Sequence, residues 1–270
     1  MPLLTLKEIA DMSPVFRRRI GGAVGRGLMR MLAIDKVNVL YDHNSHLTGQ
    51  DFTSSVLQEI GVDYQMINPQ ILSQLPSGPF VVISNHPYGS IDGIILVDMF
   101  ARIRQDFKLM VNNFLGRIKT LENNFIGVTP TGTKRQAPTK ESIQGIKEAV
   151  AHIRSGHPIG IFPAGAVSDL SIKDRCVRDR QWQEPVVRLI QKMKVPVVPV
   201  HFLDGNSKFY YSLGLIDWKV RLLRITSEVF NKRNKPVRIA LGEIITPEQM
   251  AEYKTVEDLR TFLRNSVYNI

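Results

Sequence analysis

FVVISNHPYGSIDGIILVDMF, residues 80–100, decides the fold of this chain. Phe80, Val81, Val82 and Ile83, behind Pro79, form a short β-branched run of the kind a buried strand carries, while Ile94, Ile95, Val97 and Phe100 fall at helical spacing. The stretch predicts strand, loop and helix start. Its polar loop, residues 85–93, then sits at the carboxyl end of a strand, where open α/β sheets bind ligands. His86 is the one side chain in the loop that exchanges a proton near neutral pH. Asp92, six residues on, can fold back to hydrogen-bond one ring nitrogen and leave the other to accept a proton from a substrate. Pro87 and Gly89 permit the bend. A plainer alternative stands beside this one: Asp92 N-caps the helix and His86 is an ordinary loop histidine.

Upstream, residues 35–78 carry the loop signals of DHNSHLTGQD and then the helical patterns FTSSVLQEIG and NPQILSQLPSG. His43 and His46 lie three apart, but no nearby cluster of carboxylates and histidines completes a metal site, so they read as solvated. Residues 1–34 are a separate basic amphipathic helical segment. LTLKEIADMSP suits a short helix, and in residues 15–34 Arg17, Arg18, Arg19, Arg26 and Arg30 interleave with Val15, Phe16, Ile20, Val24 and Leu28. Such a segment lies in an anionic membrane interface or packs its apolar stripe on its own domain. Gly21, Gly22 and Gly25 weaken the helical pattern.

Downstream, residues 107–112 and 125–128 suit buried strands, with a short helix in NNFLGRI between them. Residues 129–135 form a loop with glycine and proline that ends in Lys134 and Arg135, two cations that could hold a phosphate or carboxylate or simply be solvated. A helix over 139–155 feeds a strand at 159–162, broken by Pro163 and Gly165, with Ser168 in the following loop. The small residues of that loop suit a backbone packed against a ligand, or equally a tight turn. Residues 170–183 are mixed and charged, and 184–193 are helical. Pro196 and Pro199 mark the strand at 195–202 as an edge or a strongly bent one. Helices at 208–215 and 218–229, a strand at 237–241 and a helix over 246–268 with Pro247 near its start complete the chain. Strands alternating with helices throughout predict one α/β domain, a mixed central sheet flanked by helices.

A chain of 270 residues with 43% apolar content fills a real core. One cysteine, Cys176, excludes an intrachain disulfide and a cysteine-rich zinc site and suits a reducing, cytoplasmic setting. The net charge of +10 implies an acidic partner: nucleic acid, anionic lipid or an acidic carrier protein. No apolar run approaches the roughly 18 residues of a spanning helix, and no signal peptide is present, so any meeting with a membrane is expected at its surface.

NHPYGSIDG, GVTPTGTKR, FPAGAVSD and VPVVPV, in that order, resemble the four motif blocks of the glycerolipid acyltransferases, which include the 1-acylglycerol-3-phosphate acyltransferases. The resemblance covers about residues 60–245. Five residues separate His86 from Asp92 where the family usually has four. That spacing, the DR-x-W at Asp179 to Trp182, and LLRITSEVFNKRNKPVRIALGEII are similar to the hemolysin-like branch, whose members include O-acyltransferases of amino-acid-containing lipids. Ala164 stands where the family commonly has the glutamate of Phe-Pro-Glu-Gly, which weakens an assignment to lysophosphatidic acid.

The resemblance implies that residues 35–270 form an acyltransferase domain that moves a fatty acyl group from acyl carrier protein or coenzyme A to a hydroxyl of a lyso-lipid. His86 would be the general base, oriented by Asp92; Asn85, Gly89, Lys134, Arg135, Phe162, Pro163, Gly165 and Ser168 would bind substrate. Backbone amides of the central loop or of Gly165 would meet the oxyanion. The resemblance implies no metal, no cofactor beyond the thioester co-substrate and no nucleic-acid partner, and places the protein peripherally on the inner face of the membrane. Two rivals remain at this stage: a non-catalytic membrane- or nucleic-acid-binding protein, and a metal-dependent hydrolase using His86, Asp92 and His201.

Overall fold

The computed structural model describes residue 3 and residues 32–129 and 139–270. Seven strands make one sheet: β1 (Tyr64–Ile67), β2 (Val81–Ser84), β3 (Lys108–Asn112), β4 (Phe125–Val128), β5 (Ile159–Ile161), β8 (Val197–Phe202) and β9 (Val237–Leu241), in the order β1-β9-β8-β2-β5-β3-β4. β9 runs antiparallel to β8 and parallel to β1, so these two oppose the other five, and the sheet is mixed as expected. β6 (Asp169–Ser171) and β7 (Cys176–Arg178) form a separate antiparallel hairpin.

Helices cover both faces. They are α1 (Ile34–Asn44), α2 (Gly49–Ile60), α3 (Ile91–Ala101), α4 (Lys140–Arg154), α5 (Glu184–Met193), α6 (Lys208–Ile216), α7 (Trp218–Leu223), α8 (Ile225–Phe230), α9 (Pro247–Ala251) and α10 (Val256–Tyr268). The two-residue period of β2 divides its side chains between two cores. Phe80 and Val82 join the cluster built with α2 and α3; Val81 and Ile83 join the one built with α4, α5 and α10. All four residues of β2 are buried, as a central parallel strand requires. Among the described residues no helix is long and apolar enough to cross a membrane.

Several expectations change. Of the two expectations for the strand with Pro196 and Pro199, the edge fails: β8 lies between β9 and β2. Val197 pairs with Ile245 and Val200 with Leu241, so two residues of β8 face three of the returning chain. Pro199, whose carbonyl accepts from Gly242 N–H, sits in that bulge, where its missing N–H costs no ladder bond. The charged stretch 170–183 holds the β6–β7 hairpin. The helix expected over 246–268 is two, because Thr246 and Thr255 each cap a fresh start by accepting from Gln249 and Asp258 N–H. The helix expected over 218–229 divides at Arg224. α1 and β1 were not anticipated, and NPQILSQ forms a 3₁₀ turn at Pro69–Gln74. Apart from residues 3 and 32–34, the basic segment over 1–34 lies outside the described residues, as do Lys134 and Arg135.

Candidate active site

β2 delivers the loop to the carboxyl edge of the sheet, and α3 carries Asp92 back beneath it. His86 Nδ1 lies 2.8 Å from Asp92 Oδ2. Asp92 is fully buried and held by the backbone: Oδ2 accepts from Tyr88 N–H at 3.0 Å and Gly89 N–H at 3.1 Å, and Oδ1 from Gly93 N–H at 3.0 Å. The helix N-cap is Ser90, so the plainer expectation for Asp92 does not hold. Gly89 has φ +76°, and a Cβ there would meet Ile225 at 2.4 Å and Val167 at 2.6 Å, so the loop closes on Asp92 only with glycine.

Burial alone would push the His86 imidazole down, but the charge and hydrogen bond of Asp92, with the charge of Asp179 behind, hold it above its ordinary value. The His86 side chain is 18% exposed and stacks on Phe162 with ring centroids 4.0 Å apart. Asp92 engages Nδ1, so Nε2 is the nitrogen left to receive a proton.

Behind this pair stands a second buried carboxylate whose role the sequence did not disclose. Asp179 Oδ1 accepts from His86 N–H at 3.2 Å and Ser168 Oγ at 2.6 Å, and Oδ2 accepts from Trp182 Nε1 at 3.0 Å. Burial pushes its carboxyl up, against those bonds. α10 latches the segment from outside: Asp179 N–H donates to Tyr268 Oη at 2.8 Å, and Arg264 donates to Asp179 O at 3.1 Å. The DR-x-W spacing was the available signal, since an aspartate three residues before a fully buried tryptophan can accept its indole N–H.

The expected substrate-binding residues divide. Phe162 stands against His86 and Gly89 lies in the loop. Asn85 is turned to structure, because its amide accepts from Phe202 N–H at 2.8 Å and donates to Phe202 O at 2.9 Å. The Ser168 hydroxyl is committed to Asp179, and Ser168 N–H donates to His86 O. Pro163 O accepts from Gln183 N–H, and Gly165, at φ +64° with no room for a Cβ beside Gln183, donates its N–H to Phe162 O. Several of the expected oxyanion donors are committed within the fold: those of Tyr88, Gly89 and Gly93 on Asp92, that of His86 on Asp179 and that of Gly165 on Phe162. Ala164 is buried in the apolar cluster of α5 and α10. His201 lies on β8 against Tyr268, and among the described residues no three His, Cys, Asp or Glu side chains are placed to hold a metal.

A family model described as Acyltransferase matches residues 7–270, nearly the whole chain. Two relatives are named Lyso-glycine lipid O-acyltransferase. The one from Bacteroides thetaiotaomicron is 25% identical over 251 residues, 90% of this chain and 88% of the relative. The one from Phocaeicola vulgatus is 25% identical over 245 residues, 87% and 83% of the two chains. The crystal structure of the 1-acyl-sn-glycerophosphate (LPA) acyltransferase PlsC from Thermotoga maritima aligns at TM-score 0.49 and 14% identity, covering 90% of this chain and 91% of that one. The chain belongs to the acyltransferase family, in agreement with its motif blocks.

Proposed function

We propose that this acyltransferase moves a fatty acyl group from the thioester of acyl carrier protein or coenzyme A to a hydroxyl of a lyso-lipid on the inner face of the membrane. The observation that carries this is the His86–Asp92 pair, 2.8 Å apart at a strand end, with Nε2 uncommitted among the described residues. His86 Nε2 takes the proton of the acceptor hydroxyl as its oxygen attacks the thioester carbonyl. A C–O bond forms, the C–S bond breaks, and the proton passes from the imidazolium to the departing thiolate. Asp92 fixes the tautomer and stabilises the imidazolium; Asp179 holds the His86 backbone in place. A chain of net charge +10 attracts both an acidic carrier and anionic lipid.

A lyso-amino-acid lipid is the favoured acceptor. Its support is the name shared by the two relatives, both matched over most of their length, and the apolar Ala164 in place of a headgroup-positioning glutamate. The test is acyl transfer by purified protein beside His86→Ala, offering acyl carrier protein or coenzyme A thioesters with lyso-glycine lipid, lyso-ornithine lipid and lysophosphatidic acid. Product from an amino-acid lipid that vanishes in the variant is the expected result. Transfer that survives the variant would overturn His86 as base, and transfer to lysophosphatidic acid alone would overturn the acceptor.

A further inference from the structure

α6 and α7 carry large apolar side chains that are exposed. Phe209 is 57% exposed, Leu215 52%, Ile216 81% and Trp218 52%. The inner side of α6 packs on the fold, where Tyr210 and Tyr211 are buried and cluster with Val167. The outward residues recur at helical spacing, Phe209, Ser212, then Leu215 and Ile216, so the exposure belongs to one side of the helix. A contiguous apolar face of this kind marks an interaction surface.

Its setting identifies the partner. Of the basic residues over 208–224, Arg221 is buried and ion-paired with Asp169, while Lys208 and Arg224 flank the apolar side chains. Lys208 is exposed, and the Arg224 guanidinium lies over the Phe209 ring at 5.4 Å, a cation riding on an apolar anchor. Tryptophan and branched aliphatic residues mixed with cations fit the headgroup boundary of an anionic bilayer.

The same helices are bolted to the catalytic loop. Tyr211 Oη donates to Pro87 O at 2.8 Å, and Asn206 Nδ2 donates to Tyr88 O at 2.9 Å. Arg221 donates to Ser168 O at 3.0 Å, and Ser168 N–H donates in turn to His86 O at 2.9 Å. Whatever seats on α6 and α7 meets the scaffold that holds the base.

We propose that Phe209, Leu215, Ile216 and Trp218 insert into an anionic bilayer surface, a docking site distinct from the basic segment over residues 1–34. The docking is a property of this surface; its use, presenting a lipid acceptor to His86, rests on the function proposed above.

The chain's two tryptophans make the test direct. Trp182 is fully buried and serves as the silent control, whereas Trp218 reports the surface. Full-length protein is mixed with vesicles of phosphatidylcholine and phosphatidylglycerol that carry bromine on their acyl chains. Tryptophan emission shifts to the blue and is quenched, and the quenching disappears in Trp218→Phe. Ile216→Ser combined with Trp218→Ser weakens vesicle partition about tenfold or more, while Ile143→Ser on α4 leaves it unchanged. Vesicle binding without quenching, no vesicle binding, or light scattering that shows self-association lost in Ile216→Ser would each overturn the proposal. The double variant retains transfer to a short-chain acceptor dispersed in water. Absence of transfer in every protein would instead count against the acyl-transfer function and leave the quenching result standing.

Discussion

β2 and β8 are parallel neighbours, Ser84 in register with Val200, and each carries a histidine at its carboxyl end with an opposite fate. His86 meets a buried carboxylate and its pKa rises against the effect of burial. His201 makes a T-shaped contact with the Tyr268 ring, centroids 5.1 Å apart; among the described residues its Nδ1 is buried without a partner, and burial lowers its pKa. An imidazole at a strand end is therefore not a base by position alone. What separates the two is Asp92, and what makes Asp92 dependable is the trio of backbone N–H groups that fix it.

That contrast can be broken or sharpened by mutation. His86→Ala should lower kcat by about 10⁴-fold with the fold intact by circular dichroism. Asp92→Asn should cost about 10³- to 10⁴-fold in kcat, because an amide cannot stabilise the imidazolium and no longer fixes the tautomer. It should also move the pH profile. In the wild type kcat/KM falls as pH drops through a midpoint above 6.5, since protonation removes the base; in Asp92→Asn the midpoint moves down. Thermal stability should run the other way. A raised imidazole contributes stability that is fully present below its unfolded pKa and lost as pH rises through the folded value, so Tm declines where activity appears. A flat profile across that range would remove His86 from the role of base.

Asp179→Asn sets a donor against the Trp182 indole or the Ser168 hydroxyl and should cost about 1–3 kcal/mol of stability. Its kcat should fall roughly 10- to 100-fold with little change in KM, because His86 is displaced rather than removed. An unchanged kcat would make Asp179 a purely structural residue. Ala164→Glu buries a carboxylate in the cluster with Trp182 and should cost about 2–4 kcal/mol in denaturant unfolding without improving turnover of lysophosphatidic acid. His201→Phe should leave kcat within about twofold and stability within about 1 kcal/mol, since it removes a buried nitrogen that has no partner among the described residues. A large loss there would erase the distinction between the two strand ends.

Much of the first histidine's surroundings was legible and almost none of the second's. The β-branched run before Asn85 and the six-residue reach to Asp92 are local, and local spacing is what a sequence displays. Asp179 lies 93 residues from His86, and a mixed charged stretch gives no periodic sign that it folds into a hairpin and returns beneath the loop. Asn85 and Ser168 stand beside the His86 loop, but their side chains bond to Phe202 and Asp179, each more than ten residues away in the chain. The edge reading of β8 fails because the partner's bulge relieves Pro199, and a bulge belongs to two segments at once. The chain misleads wherever a residue's partner lies across the fold.

The latch on Asp179 also sets an order of events. Its N–H and C=O are taken by residues 89 and 85 positions further along the chain, on α10. Loop closure over such separations is slow compared with forming the β2 turn and α3 nearby. A ribosome also delivers the His86 loop long before it delivers the helix that secures it. For that interval the nascent protein holds His86 and Asp92 without the brace behind them, and the brace arrives only with α10.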